Sequence, residues 1–181
     1  MLLFIRRPLP LFALIGTMVL AGCDSTSNEA PEISCDSRTG NSMTARVDGE
    51  ALCTDLGTAL LLNDGTAPFL SIVGLFATST PGSSISFSVG NPDVGTFDLA
   101  DASAEHDAMY GQEDETAYFV DRTEGSGSVT ITELTDTRVK GTFAFTGVGY
   151  DINDNPTGDQ AEVTDGTFDF ALGSADFVSD Q

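Results

Sequence analysis

Ser83-Ser84-Ile85-Ser86-Phe87-Ser88-Val89 alternates serine with large apolar residues from Ser84 onward. A β-strand turns successive side chains to opposite faces, so Ile85, Phe87 and Val89 bury on one side while the serines stay wet on the other. The alternation also fixes the register, because a slip of one residue would put the whole apolar set into water. On its N-terminal side Thr80-Pro81-Gly82 is a turn sequence, preceded by a second apolar stretch at residues 69–78. These two segments predict adjacent strands, and the rest of the chain from Met43 onward repeats their style. Short apolar alternations rich in β-branched residues and phenylalanine are punctuated by Gly, Asp, Asn and Pro, which is the pattern of an all-β domain.

Further out, residues 44–47 and 50–53 flank Asp48-Gly49 and read as a hairpin, since Asp-Gly supplies the positive φ angles of a tight turn. Residues 60–63 read as a third strand. A weaker strand at 95–99 follows Asn91-Pro92-Asp93, and residues 99–110 suit either a short helix or a loop leading into a strand. Tyr118-Phe119-Val120 is a short strand. Residues 128–134 place Val129 and Ile131 inward, and residues 138–150 place Phe143 and Phe145 inward. The last strand carries Val163 and then Phe168, Phe170 and Leu172, with Asp165-Gly166 as a bulge inside it. Gly95-Thr96-Phe97, Gly141-Thr142-Phe143 and Gly166-Thr167-Phe168 echo one another at unequal spacings. They read as a reused strand start, not as a repeat architecture. The expected fold is a single antiparallel β-sandwich or a flattened, lipocalin-like barrel.

The N-terminus has a different character. Arg6 and Arg7 precede an apolar core of roughly a dozen residues, which closes on Leu20-Ala21-Gly22-Cys23. Pro8 and Pro10 confine a signal helix to the residues beyond them, and that core is shorter than the about 20 apolar residues that span a bilayer. The final four residues resemble the lipobox of bacterial lipoproteins, which implies that the Cys23 thiol carries a diacylglyceryl group and begins the mature chain. Two or more acyl chains give durable anchoring, each buried methylene contributing about 0.8 kcal/mol. The organisation expected is a signal peptide at 1–22, a flexible tether at 23–42, a β-domain at 43–175 and a short tail at 176–181. The tether is rich in Ser, Thr, Asn, Glu and Pro, with Ile33 its one large aliphatic residue, too little apolar surface to offset the entropy of ordering.

Charge narrows the function further. Two of the seven basic residues and none of the 28 acidic ones lie in the signal, so the mature chain holds five basic against 28 acidic residues. Such a surface argues against nucleic acid as a partner, which needs basic patches. It fits either a high-salt habitat or a surface that gathers cations. Once Cys23 is lipidated, Cys35 and Cys53 remain, and in an oxidising compartment they are expected to pair. Their loop of 18 residues corresponds to roughly 3 kcal/mol of chain-entropy stabilisation.

The lipobox, the first strand at Ser42-Met43-Thr44-Ala45-Arg46-Val47-Asp48-Gly49, the strand at Ser128-Val129-Thr130-Ile131-Thr132 and the late Gly-Thr-Phe strands together resemble small, uncharacterised β-domain lipoproteins of Gram-negative bacteria. Many such families mark the second strand with tryptophan, whereas this chain has Cys53 there and no tryptophan at all. The resemblance implies a β-sandwich or flattened barrel and no established activity.

Little in the chain points to catalysis. A single histidine, His106, leaves a Ser-His-Asp triad or a zinc site resting on one residue in an acidic loop. The best local candidate for a site is residues 151–162, where Asp151, Asn153, Asn155, Asp159 and Glu162 occupy positions 1, 3, 5, 9 and 12 of a calcium loop. Pro156 stands where an EF-hand needs glycine, so the alternatives are a calcium site on a β-hairpin or a plain acidic hairpin loop. The function expected is a non-enzymatic, lipid-anchored binding or structural module of the cell envelope, in contact with the membrane through its N-terminal lipid and with no cofactor unless calcium. Two rivals stand beside it: a calcium-stabilised adhesion or ligand-binding module, and an envelope hydrolase using paired carboxylates.

Overall fold

Eleven strands account for almost all of the computed structural model, which describes residues 40–63, 67–77, 82–101, 103–112, 116–120 and 124–176. The residues expected to form the signal, most of those expected to form the tether, with Cys23 and Cys35, the turn at Thr80-Pro81 and the residues beyond 176 lie outside the described residues. The strands are β1 (Ser42–Val47), β2 (Glu50–Thr54), β3 (Gly57–Asn63), β4 (Pro68–Phe76), β5 (Ser83–Gly90) and β6 (Gly95–Asp98), followed by β7 (His106–Gln112), β8 (Ala117–Val120), β9 (Ser126–Leu134), β10 (Arg138–Tyr150) and β11 (Pro156–Asp176). The domain is all-β. The segment at 99–110, whose composition suits a helix or a loop equally, is a turn that leads into β7.

β5 behaves as its alternation requires: Ile85, Phe87 and Val89 are buried and Ser84, Ser86 and Ser88 are half-buried on the other face. The Asp48-Gly49 hairpin forms with φ of 50° and 84° at its two turn residues, and pairs Val47 with Glu50 and Met43 with Thr54. Asp48 then ties the hairpin to β11, its N–H donating to the Glu162 carbonyl and its carboxylate accepting from the Glu162 N–H, both at 2.9 Å.

β10 and β11 are the longest strands, and together they organise the sheet. On one side of this pair β10 is continued by β9 and β6, and on the other side β11 is continued by β1 and β2. This makes one wall, ordered β6-β9-β10-β11-β1-β2. The other wall is β3-β4-β5-β7-β8. β8 joins the first wall by pairing Phe119 with Val148 of β10, and the C-terminal stretch of β11 joins the second by pairing Leu172–Asp176 with β3. Seven strands thereby close a circuit, and the remaining four extend one wall past it. The β11–β3 contact is parallel, so the sheet is mixed where the sequence predicted an antiparallel one throughout. A strand that leaves β10 and carries on into the facing wall meets β3 in the direction its own course dictates, which no local sequence pattern records.

The expected bulge at Asp165-Gly166 is present. Across it β10 advances from Phe143 to Phe145 while β11 moves from Gly166 to Val163, and β1 registers the same extra residue. Asp165 has φ of 52°, the left-handed geometry that lets one strand carry an additional residue. Between the walls, Phe87 of β5 lies 5.3 Å from the Phe143 ring and 5.2 Å from the Phe168 ring. These contacts fill the centre with side chains, as in a sandwich whose sheets stand about 10 Å apart.

Candidate functional site

With the centre packed by phenylalanine, the two outer faces are the broad surfaces on offer, and they differ in chemistry. On the first wall a row of threonines runs across five strands, because the pairing brings Thr96, Thr130, Thr142, Thr167 and Thr44 into register. Thr96 and Thr130 are hydrogen-bonded through their hydroxyls at 2.9 Å, and Thr44 and Thr167 at 2.8 Å. Cross-strand threonine pairs of this kind each contribute a few tenths of a kcal/mol, about 0.2–1. Ser128, Ala144 and Asp165 join the row to line an open groove of about 450 Å³. The same wall carries all three cations among the described residues. Arg46 Nε is 3.4 Å from Asp165, Arg138 Nη2 is 2.6 Å from Asp169, and Lys140 Nζ reaches Glu133 at 3.4 Å and Asp169 at 3.6 Å.

The outer face of the second wall is almost without charge. One row reads Thr58, Val73, Ser86, Met109 and Phe119 across β3, β4, β5, β7 and β8. A parallel row reads Leu75, Ser84, Gly111 and Ala117, and another Leu60, Ser71, Ser88 and Asp107. Asp107 is the only ionisable group in these rows. The sheet around it removes enough water to push its carboxyl above the usual range, opposed by hydrogen bonds from the Ser88 hydroxyl and N–H. Leu75 is 50% exposed and Phe119 36% exposed, so large apolar groups reach solvent here. Beside Phe119 the Tyr150 ring stands edge-on at 5.9 Å, and its hydroxyl donates to Glu124 at 2.5 Å. A second open groove, of about 400 Å³, lies at the Leu75–Ser84–Gly111 end.

A model of the family described as domain of unknown function DUF6252 matches residues 41–170. The chain belongs to that family. No curated protein and no solved structure gives a significant match. The match begins one residue before β1 and ends within β11, so it spans both walls of this DUF6252 domain.

The site residues expected from sequence are not gathered in one place. Cys53 sits on β2 and is disulfide-bonded; its partner lies outside the described residues, as do Cys35 and Cys23. His106 opens β7, where its Nδ1 accepts the Gly90 N–H at 3.1 Å and its ring stands edge-on to Phe97 at 5.3 Å. Those contacts give it a structural task at the end of β5. Of the five calcium-loop positions, Asp151, Asn153 and Asn155 share the β10–β11 turn, whereas Asp159 and Glu162 lie along β11. Glu162 pairs with Thr146 and Tyr150 with Pro156, so about 20 Å of strand at 3.3 Å per residue separates the turn from Glu162. Among the described residues no three His, Cys, Asp or Glu side chains group to hold a metal ion.

The Asp151 carboxylate has work inside the turn instead. Its Oδ1 accepts the N–H groups of Asn153 at 2.8 Å and Asn155 at 2.9 Å, and the Asn155 amide also donates to it. The Asn155 and Asn153 N–H groups hold its carboxyl below the ordinary carboxylate range. A depressed folded-state pKa means that these bonds are fully present near neutral pH and are lost as the pH falls through the lowered value, below 3.8. Asp151→Ala is therefore expected to give at neutral pH the loosened turn that the native chain shows only in strong acid. Amide hydrogen exchange at Asn153 and Asn155 would read it; unchanged protection in the variant would refute the assignment.

The sequence read β5 correctly as having a wet face, but it missed what surrounds that face. Ser84, Ser86 and Ser88 lie between Val73 and Leu75 on one side and Met109 on the other. The signal available was the absence of acids from residues 67–90, within the longest acid-free stretch of the chain.

Proposed function

We propose that this DUF6252 chain is a lipid-anchored component of the cell envelope that acts through its outer surface, as a binding or structural module, and not by carrying a ligand inside the barrel. The observation that supports a surface role is Phe87, whose ring occupies the space between the walls that an enclosed ligand would need. Anchoring rests on Leu20-Ala21-Gly22-Cys23 and the basic, apolar segment before it.

The test is to express the full chain and its Cys23→Ser variant in a Gram-negative host with radiolabelled palmitate. The native chain is expected to incorporate label and to sediment with membranes, and the variant to lose both. Equal labelling of the two chains, or a native chain that is unlabelled and soluble, would overturn the anchor.

A further inference from the structure

We propose that the nearly uncharged outer face of β3, β4, β5, β7 and β8 is where a second copy of this chain docks, face to face. The proposal deepens the surface-interaction reading above and rests on it. Charge selects the face. With 28 acidic residues and a formal charge of −21, two copies approaching through most of their surface repel one another, and salt screens that repulsion only beyond about 8 Å at physiological strength. Among the described residues, the paired rows of this face hold one acid, Asp107, at their margin.

Its pattern is also self-complementary. β5 runs through the middle with its serines outward, and the apolar groups stand on either side, Val73 and Leu75 on β4 and Met109 and Phe119 on β7 and β8. A two-fold axis that lies in the interface and runs along β5 over Ser86 lays one copy's β4 ridge against the other's β7 and β8 ridge, apolar on apolar. It also sets serine opposite serine, and a hydroxyl both donates and accepts, so that identical groups can pair. Five strands at about 4.8 Å and about seven residues at 3.3 Å give roughly 550 Å² per copy, or 1,100 Å² in all. That is just above the roughly 1,000 Å² expected of a specific interface. The association is thus weak for free chains and is favoured when a shared membrane confines both copies and raises their effective concentration.

The experiment uses the full chain carrying Ser86→Cys in membranes, oxidised with copper phenanthroline and run on a non-reducing gel. Thr142→Cys, on the opposite wall, is the comparison. A disulfide-linked dimer several-fold above the Thr142→Cys level is expected for Ser86→Cys, rising with salt. It should fall to that level when Val73→Asp or the milder Ser84→Asp is added. Equal linking at both positions, or linking that survives both aspartates, would sink the proposal. Membrane fractionation of the same cells separates the two ideas. No linking in a membrane-bound chain overturns the dimer alone. A soluble chain overturns the anchor, and the same linkage, read at high concentration of purified full chain, then decides the dimer.

Discussion

Phe87→Ala is expected to destabilise the domain by about 3–5 kcal/mol, the range for truncating a fully buried phenylalanine. The ring is 1% exposed and touches Phe143 and Phe168 on the facing wall at 5.3 and 5.2 Å. Its removal takes away apolar burial and tilted aromatic pairs at once, each such pair adding about 0.5–1.5 kcal/mol. Both partners are themselves fixed, Phe143 opposite Gly166 and Phe168 opposite Gly141, so the walls cannot collapse far into the gap. For a domain of this size each kcal/mol corresponds to about 2–4 °C, and thermal unfolding should shift by about 10 °C. A shift as small as that of a surface substitution would mean that the centre is not packed as described, and the argument against an internal ligand would go with it.

How much of the fold was legible in the sequence depends on the range over which its patterns act. The period-two alternation of β5, the Asp48-Gly49 turn and the Asp165-Gly166 bulge are local, and all three are found where residue chemistry puts them. The closure of the walls is not local. β11 pairs with β10, with β1 and finally with β3 in parallel, and only the length of that strand decides how many neighbours it meets. At the Asp151 turn one local pattern admits two readings. An aspartate at the first calcium-loop position can instead accept the backbone N–H groups two and four residues on, as Asp151 does from Asn153 and Asn155, and a strand conformation carries Glu162 away from the turn. The nearly uncharged face was hidden because it is assembled from five strands, none of which is unusual alone.

Gly141→Ala is expected to cost about 3 kcal/mol, near the upper end for overpacking, although the same change at an open site stabilises by about 0.4–1 kcal/mol through the unfolded chain. The sign turns on two neighbours. A Cβ at Gly141 would fall within contact distance of the Thr130 carbonyl oxygen of β9 and 2.5 Å from Cζ of Phe168. The first belongs to backbone held in the β9–β10 ladder and cannot move without breaking it. The second is pinned by Phe87. The geometry arises because Gly141-Thr142-Phe143 and Gly166-Thr167-Phe168 pair with each other in opposite directions, so that each phenylalanine faces the other strand's glycine. A ring lying over a cross-strand glycine covers backbone that would otherwise be bare, a known device for seating a glycine in a sheet. The reciprocal site behaves likewise: a Cβ at Gly166 would meet the Phe143 carbonyl at 2.5 Å and its ring at 2.6 Å. Gly95-Thr96-Phe97 pairs instead with Ile131-Thr130-Val129, and a Cβ at Gly95 meets nothing within 4 Å, so that its φ of 157°, and not crowding, is what disfavours a side chain there. The three echoed triplets therefore separate by energy. Chemical denaturation of Gly141→Ala should reveal the loss; an unchanged or raised midpoint would show that the two aromatic and glycine positions do not interlock.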